Sequence, residues 1–427
     1  MAASFTRLGT ANTYDNVLRN LQTRQSALAN LQENLTSGKR VVVASDDPTG
    51  AAQAERSLTR IARIASDQRA LEAQRNSITA AEGTLGDLTD ALQGFRELVV
   101  SAGNAAFTPA ERRAVALQLS GLRDQILALS NRTDSNGLPL FSALGSALAP
   151  FVGPQAPPLD YTFNGLPGQA ASNEVAIPFA LDGDSAFMHQ PARDGVYNVT
   201  VSSASGVIPP SRTLQTNNVT VSNPTLVNGS AYSIAFTAID TTTVPGTTTV
   251  TYDVTETPNV GGPFVGLTAS YPTIVTGDKA GTGSIPITVM PGLAMTISGT
   301  PVVGDTVVVD TSPSIFSVMD DAIRNIGGAG NNNAAVQAVS QALFNIDIGM
   351  ERVSAVRGRA GDLLNRADRI TTNQEKRSIQ LEADRSRAED LDMIKGISDF
   401  QNQQTGYQAA LQSYAQVQKL SLFNYIS

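Results

Sequence analysis

The chain has 427 residues, of which 41% are hydrophobic and 16% are charged, a balance typical of a folded protein with two or three domains. It has no cysteine and a single histidine, which excludes disulfides and thiolate metal sites and argues against a multi-histidine metal centre or a Ser-His-Asp triad. The net charge of −8, with no basic patch that carries interleaved aromatic residues, argues against nucleic-acid binding.

The first predicted element is a long amphipathic helix near the N-terminus. Its apolar residues follow a 3,4 spacing, interrupted only at Arg24, that places them on one side of a helix, as in a coiled coil. The segment before it lacks a basic region followed by an apolar stretch, so we expect no Sec-type signal. The residues on this predicted stripe are Tyr14, Val17, Leu21, Leu28, Leu31 and Leu35.

Two more helices are predicted after this arm, one from about Pro48 to Ser101 and one from Pro109 to about Ser130. The sequence TPAERRAV offers Thr108 as the N-cap of the second, with Pro109 at the first helical position and Glu111 as the acid of a capping box.

The middle of the chain predicts an antiparallel β domain, either a sandwich or a barrel. Short runs rich in Val, Thr, Ile and Tyr alternate with turns of Gly, Pro, Asn and Asp. Four of these runs are GVYNVTVSS, AYSIAFTAI, TTTVTYDVTE and DTVVVD. Residues 151–313 contain three basic and eleven acidic side chains, whereas the helical parts are neutral, so this insert carries the net charge and suits an outer surface.

Helix returns after the insert, with Ser314 as its predicted N-cap. An apolar stripe then begins at Val336, and a last stripe reaches the C-terminus, in which Phe400, Tyr407 and Tyr414 are each a heptad apart. Any one stripe also fits an ordinary helix that faces a core. Stripes at both termini instead favour paired arms, because chain ends fray unless a partner surface holds them. The last stripe also includes Ile397 and Leu411.

These patterns predict an α+β multidomain protein whose terminal helices pair around an inserted β domain. We expect residues 1–40 and 395–427 to form a terminal coiled-coil domain that is mobile in the free monomer. Residues 41–150 and 314–394 are expected to form a helical bundle, and residues 151–313 an outer acidic domain. No apolar run is long enough to cross a bilayer.

Residues that could carry chemistry are few. His189 is expected to lie in a surface loop, and the stretch Gly327 to Asn333 lacks the following Lys-Ser/Thr of a phosphate loop. Asp46 and Asp47 precede Pro48, which is more typical of a helix N-terminus than of a cation site. The sequence therefore predicts no catalytic residue, cofactor or metal.

Four segments resemble a known family. The segment Leu35 to Ala54, LTSGKRVVVASDDPTGAAQA, resembles the N-terminal motif of bacterial flagellins and of the hook-associated protein 3 family, and Val356 to Asp368 resembles their returning helix. The end of the chain, QTGYQAALQSYAQVQKLSLFNYIS, is similar to the C-terminus of the hook-associated protein 3 family. The segment NGLPLFSA resembles the short stretch that leads into the outer domain of that family. The N-terminal motif residues are Ser37, Gly38, Lys39, Arg40, Asp46, Asp47 and Pro48.

The resemblance implies a structural subunit of the bacterial flagellum that forms the junction between hook and filament. Its copies would assemble in a ring or helical lattice, between a hook-associated protein on the hook side and flagellin on the filament side. Export through the flagellar type III apparatus would be assisted by a cytoplasmic chaperone bound to the C-terminal helix. The chaperone-binding residues implied are Ile394, Ile397, Tyr407, Leu411, Val417, Leu420 and Leu422.

Alternatives remain open at this stage. A short or minor flagellin would share both arms and the N-terminal motif, and would form long filaments by itself. A secreted adhesin with a coiled-coil stalk would explain the acidic β domain but not two helical termini. An enzyme is disfavoured because the insert has no cysteine, one histidine and no clustered carboxylates.

Overall fold

The computed structural model describes residues 10–155, 160–240, 247–258, 273–276 and 284–426. These residues form long helices at both ends of the chain and antiparallel sheets in the middle, as the sequence predicts. The helices are α1 (Thr10–Ser37), α2 (Pro48–Ala102), α3 (Pro109–Ser130), α4 (Gly183–Phe187), α5 (Pro191–Asp194), α6 (Ile315–Gly327), α7 (Asn332–Glu389) and α8 (Met393–Ile426).

The helix boundaries follow local signals that the sequence contains. The Thr108 hydroxyl accepts the Glu111 amide, and the Glu111 carboxylate accepts the Thr108 amide at 2.6 Å, which confirms the predicted capping box of α3. The Ser314 hydroxyl accepts the Ser317 amide at 3.0 Å and caps α6. Each cap satisfies backbone N–H groups that the first helical turn leaves without partners.

The chain divides into two compact units, a terminal unit of Met1–Arg69 with Ile370–Ser427 and a central unit of Ala70–Arg369. In the central unit α2 runs antiparallel to α7, joined by ion pairs from Arg96 to Asp347 at 2.7 Å and from Arg357 to Glu82 at 2.8 Å. Buried Leu, Ile, Phe and Ala side chains fill the space among α2, α3, α6 and α7. The predicted stripe on α7 starts later than expected, because Val336 is 45% exposed whereas Val339 is buried.

The insert contains eleven strands, all paired antiparallel, in the described residues. One sheet has the order β3-β11-β6-β7-β8, another places β10 beside β4, β5 and β9, and β1 pairs with β2. The strands are β1 (Phe151–Val152), β2 (Thr162–Phe163), β3 (Tyr197–Ser202), β4 (Leu214–Thr216), β5 (Thr220–Val221), β6 (Ala231–Asp240), β7 (Thr247–Thr257), β8 (Thr273–Thr276), β9 (Ser284–Ile287), β10 (Leu293–Gly299) and β11 (Thr306–Thr311).

The two larger sheets share one apolar core and remain open, so no barrel closes among the strands that the structure describes. Alternate side chains of β6, β10 and β11 are buried, which is the period that a sheet with one covered face requires. Ile234, Val254, Ile297 and Val307 are among the residues at its centre.

His189 is not in a surface loop, and that expectation is wrong. Its side chain is 6% exposed, and its ring Nδ1 lies 3.3 Å from the Ser312 carbonyl oxygen, while its backbone N–H donates to the Pro313 oxygen. The last residues of the insert contact this histidine, and Ser312 is 123 positions away from it in the sequence.

Candidate functional site

The N-terminal motif residues meet the turn that joins α7 to α8. The Arg40 and Val41 amides donate to the Glu389 oxygen at 2.7 and 3.2 Å, and the Leu391 amide donates to the Gly38 oxygen at 2.9 Å. Gly38 has φ +71°, a left-handed conformation that glycine adopts without a steric penalty, and it ends α1. We call residues 38–47 and 388–392 together the crossover junction.

Charged side chains strengthen the crossover junction. Lys39 forms an ion pair with Glu389. The Arg40 guanidinium donates to the Ala388 oxygen at 2.7 Å and to the Asp47 carboxylate at 3.0 Å, so one side chain joins both crossing segments. These partners of the basic motif residues were not identified from the sequence, because nothing in the N-terminal segment shows which distant acidic residues lie opposite.

Asp46 and Asp47 each organise backbone N–H groups. Asp46 accepts the amides of Val42 and Val43 at 3.1 and 3.0 Å, which shapes the turn. Asp47 accepts the Gly50 amide at 2.9 Å at the start of α2, so it acts as a helix cap. The Gly50 amide, the Thr49 hydroxyl and Arg40 lower the pKa of Asp47 to about 2.

Gly50 favours the close approach of α2 to the end of α7. A Cβ at this position would lie 2.6 Å from Asp47 Oδ2 and 3.1 Å from the Ala388 oxygen. The motif residues Ser37 and Pro48 mark the end of α1 and the first residue of α2. The motif is therefore a structural element that turns the chain between α1 and α2. It also fastens this turn to the turn between α7 and α8.

Replacing Asp47 with Ala should increase amide hydrogen exchange in the first turn of α2, because the Gly50 N–H loses its acceptor. Asp47→Asn keeps an acceptor oxygen and should have a smaller effect. Since the pKa of Asp47 is lowered from 3.8 to about 2, its contribution is complete above pH 3.8 and should be lost as the pH falls through 2. Equal exchange at Gly50 in the wild type and Asp47→Ala would contradict this role.

The second part of the site is the pairing of α1 with α8. A Cβ at Gly396 would lie 3.2 Å from Leu35 Cδ2, and one at Gly406 would lie 2.8 Å from Arg24 Nη1. The later residue of α1, Leu35, lies near the earlier glycine of α8, and the earlier residue, Arg24, lies near the later glycine. The two helices are therefore antiparallel. Glycines on α8 thus allow side chains of α1 to reach its backbone.

The predicted stripe residues are divided between this pair and the solvent. On α1, Val17, Leu21, Leu28, Leu31 and Leu35 are half-buried. On α8, Phe400, Tyr407 and Tyr414 are half-buried, whereas Ile397 and Leu411 are 46% and 42% exposed. The side chains of Tyr14, Val417, Leu420 and Leu422 lie outside the described residues.

Apolar side chains at the start of α8 are accessible to solvent. Ile394 is 85% exposed and Met393 46% exposed, although α8 is already paired with α1. Isolated exposed apolar residues are normal, but Met393, Ile394, Ile397 and Leu411 occur on one helix next to a paired surface.

The described residues contain neither a cluster of three potential metal ligands nor a helix that is long and apolar enough to cross a membrane. The contacts of the motif and of the paired arms are those of a structural element.

Comparisons with known proteins place both ends of the chain in one family. The model of the bacterial flagellin N-terminal helical region matches residues 9–145, and that of the C-terminal helical region matches residues 343–426. Together they match more than half of the chain and include the crossover junction, α1 and all of α8.

Individual relatives match shorter stretches. Flagellar hook-associated protein 3 of Salmonella typhimurium is 32% identical over 153 residues, which cover 34% of this chain and 46% of that protein. Flagellin of Bacillus subtilis is 36% identical over 127 residues, covering 29% of this chain and 41% of that protein. The chain thus spans less than half the length of these curated relatives.

A solved structure extends the likeness of the fold. The crystal structure of the flagellar junction protein FlgL from Legionella pneumophila is similar with a TM-score of 0.55 and 23% identity, covering 74% of this chain and 98% of that one. Because both terminal helical regions match, the chain belongs to the bacterial flagellin family.

Proposed function

We propose that this protein is a structural subunit of the bacterial flagellum that forms the junction between hook and filament. The observation that carries the proposal is the paired α1 and α8, both within family-matched regions, with exposed Ile394, Ile397 and Leu411 on α8. The family is structural and non-enzymatic, and the similarity to hook-associated protein 3 of Salmonella typhimurium supports the junction role.

The proposed assembly interface is the apolar surface of the two arms. Burial in a helical lattice would remove the exposed parts of Ile397 and Leu411 from water. Fully burying an exposed apolar side chain contributes roughly 1.5–3 kcal/mol, so each of these half-covered side chains would contribute a part of that. The remaining proposed interface residues are Tyr14, Val17, Leu21, Leu28, Leu31, Leu35, Phe400, Tyr407 and Tyr414. The motif residues would fix the direction in which the arms leave the crossover junction.

The proposed partners are other copies of this chain, a hook-associated protein on the hook side and flagellin on the filament side. Before export, a cytoplasmic chaperone would cover the C-terminal helix, including Ile394, Val417, Leu420 and Leu422. The final location would be extracellular, after export through the type III apparatus without insertion into a membrane. One apolar surface would then serve the chaperone first and the neighbouring subunits later.

We further propose three domains in the assembled protein. Residues 1–40 with 395–427 form the coiled coil, residues 41–150 with 314–394 the helical bundle, and residues 151–313 the outer domain. The arms are mobile in the free monomer and become ordered when neighbouring subunits cover them.

Replacing Leu411 with Asp should abolish incorporation into flagella, because assembly would bury a carboxylate without a partner. We expect the amount of incorporated protein to fall at least about tenfold below that of the wild type. Gln408→Asp is a matched control, since Gln408 is an exposed polar residue of the same helix. The amount of protein in sheared flagella is compared with that in the medium by immunoblot. Since Leu411 is 42% exposed, the monomer should keep its thermal stability.

Two outcomes would contradict the interface. Leu411→Asp could incorporate as well as the wild type, which would remove this side chain from any intersubunit contact. It could instead lower the melting temperature of the monomer as strongly as it lowers incorporation, which would make the stripe an intramolecular surface only.

A short or minor flagellin is the second candidate, because flagellin of Bacillus subtilis matches with 36% identity over a similar part of the chain. A flagellin polymerises into long filaments by itself. Electron microscopy of the purified protein after polymerisation separates the two candidates: long filaments support the flagellin, and their absence supports the junction protein.

A further inference from the structure

Two segments fasten the insert to the helices, and hydrogen bonds hold them together. The His189 N–H donates to the Pro313 oxygen at 2.8 Å, and Met188 forms an antiparallel bridge with Ser314. The Ser312 N–H donates to the Val196 oxygen at 3.4 Å. We call residues 188–198 and 311–314 the neck of the insert.

Buried polar side chains of α7 bind the neck. Gln341 and Asn345 both donate to the Tyr197 oxygen, at 3.0 and 2.8 Å, and are almost fully buried. Arg352 forms an ion pair with Asp194 at 2.6 Å. Apolar packing is non-directional, whereas these hydrogen bonds and this ion pair have defined geometry. A change of charge on a group in the neck therefore acts directly on the bonds that attach the insert.

His189 is one buried titratable group in the neck. Its Nδ1 faces the Ser312 oxygen, which requires the proton on Nδ1, and its buried Nε2 has no hydrogen-bond partner among the described residues. The charged groups that face it are Asp194 and Arg193 of α5 and Arg352 of α7. Burial lowers the pKa of His189 to about 4, with Arg352 and Arg193 acting in the same direction and Asp194 against it.

Asp321 is a second titratable group, on the opposite side of the same serine, and its side chain is 15% exposed. It accepts the Ser312 hydroxyl at 2.7 Å and pairs with Arg324 at 3.1 Å. Burial raises the pKa of Asp321 to about 6, which Asp160 and Asp320 reinforce while Ser312 and Arg324 oppose it. Ser312 therefore binds His189 through its carbonyl and Asp321 through its hydroxyl.

We propose that His189 and Asp321, joined through Ser312, form a compensating pair that keeps the insert fastened to the helices as the surroundings become acidic. At neutral pH the His189 ring is neutral and the Asp321 carboxylate is charged, so the two groups gain their protons with opposite consequences for charge. Acidification neutralises Asp321 and charges His189, so one change relieves a buried charge while the other creates one.

The direction of each contribution follows from its pKa in the folded and unfolded states. The folded pKa of His189 lies below its usual 6.5, so its contribution to stability is lost as the pH falls from 6.5 through 4. The folded pKa of Asp321 lies above its usual 3.8, so stability is gained as the pH falls from 6 to 3.8. Both changes occur in the same pH range and oppose each other.

Single substitutions should expose each contribution. Asp321→Asn keeps an acceptor for Ser312 and His189→Asn keeps a donor, so both preserve the neutral hydrogen bonds. Relative to the wild type, we expect the unfolding equilibrium constant of Asp321→Asn to rise on the order of tenfold to a hundredfold between pH 7 and pH 4.5, since one pKa unit is a factor of ten. That of His189→Asn should fall by a similar factor, and the double variant should follow the wild type.

The measurement is urea denaturation of the full chain at both pH values, followed by circular dichroism. Identical pH dependence of both single variants and the wild type would overturn the proposal. If a variant fails to fold, the wild type still provides a test, because its single histidine gives one Hε1 resonance. A titration midpoint below pH 5 supports the proposal, and a midpoint near 6.5 overturns it. The proposal goes beyond the flagellar role and holds or fails independently of it.

Discussion

Replacing Phe316 with Ala should destabilise the central unit by about 3–5 kcal/mol, because a fully buried ring is removed and a cavity remains. Phe316 lies in the first turn of α6, and its ring centroid is 5.2 Å from that of Tyr161, 5.6 Å from Phe151 and 5.9 Å from Phe187. One ring thus connects α6 with three segments of the insert.

Phe179→Ala is the matched control, since Phe179 belongs to the same unit and is 46% exposed. Thermal denaturation followed by circular dichroism measures both variants. We expect a large loss for Phe316→Ala and a loss near 1 kcal/mol or less for the control, as is usual for surface positions. Equal losses would show that the aromatic cluster does not hold α6 to the insert.

Replacing Arg212 with Ala should destabilise the insert by about 3–5 kcal/mol, because it leaves the Asp305 carboxylate buried without its cation. Arg212 and Asp305 form a two-point ion pair, with an Nη2–Oδ1 distance of 2.6 Å, and the Asp305 side chain is only 2% exposed. Asp305 also accepts the Val302 amide at 2.8 Å, so it fixes the turn before β11.

Two comparisons test the cause of that loss. Arg132→Ala removes an exposed pair with Asp87, whose side chains are 54% and 58% accessible, and should cost less than about 1 kcal/mol. The double variant Arg212→Met with Asp305→Asn removes both charges and should be more stable than Arg212→Ala. If the double variant is as unstable as the single one, the unpaired buried charge is not the cause. Urea denaturation measures all three.

The features predicted correctly from the sequence are those with a local cause. The capping box of Thr108 and Glu111 spans four residues, and the Ser314 cap spans a similar distance, so both are visible in the sequence. The sequence predicts strands β3, β6, β7 and β11 because each is a run of six or more residues rich in Val, Thr, Ile or Tyr. Short strands such as β4 and β5, and the small helices α4 and α5, have too few residues for a period to be recognised.

The contacts that could not be predicted join residues that are distant in the sequence. His189 is buried by Ser312 and lies near Arg352, and no local pattern distinguishes it from an exposed histidine. In the same way, the motif at Lys39 and Arg40 was recognised by resemblance, but its partners Ala388 and Glu389 were known only once the chain was folded. Pattern and resemblance identified the arms, whereas only the tertiary structure identified the crossover junction.

The two units suggest how a single chain could assemble and still present an acidic outer surface. Within the central unit, buried polar side chains of α6 and α7 attach the insert at its neck. Within the terminal unit, α1 and α8 pair and leave apolar residues of α8 exposed. In the proposed assembly, the arms bind neighbouring subunits while the acidic insert faces solvent.

Immunogold electron microscopy of intact flagella, with an antibody against residues 160–310, tests the proposed junction role most directly. We expect gold at one point on each flagellum, between hook and filament. Gold along the whole filament would make the protein a flagellin, and flagella without any gold would contradict a flagellar role altogether.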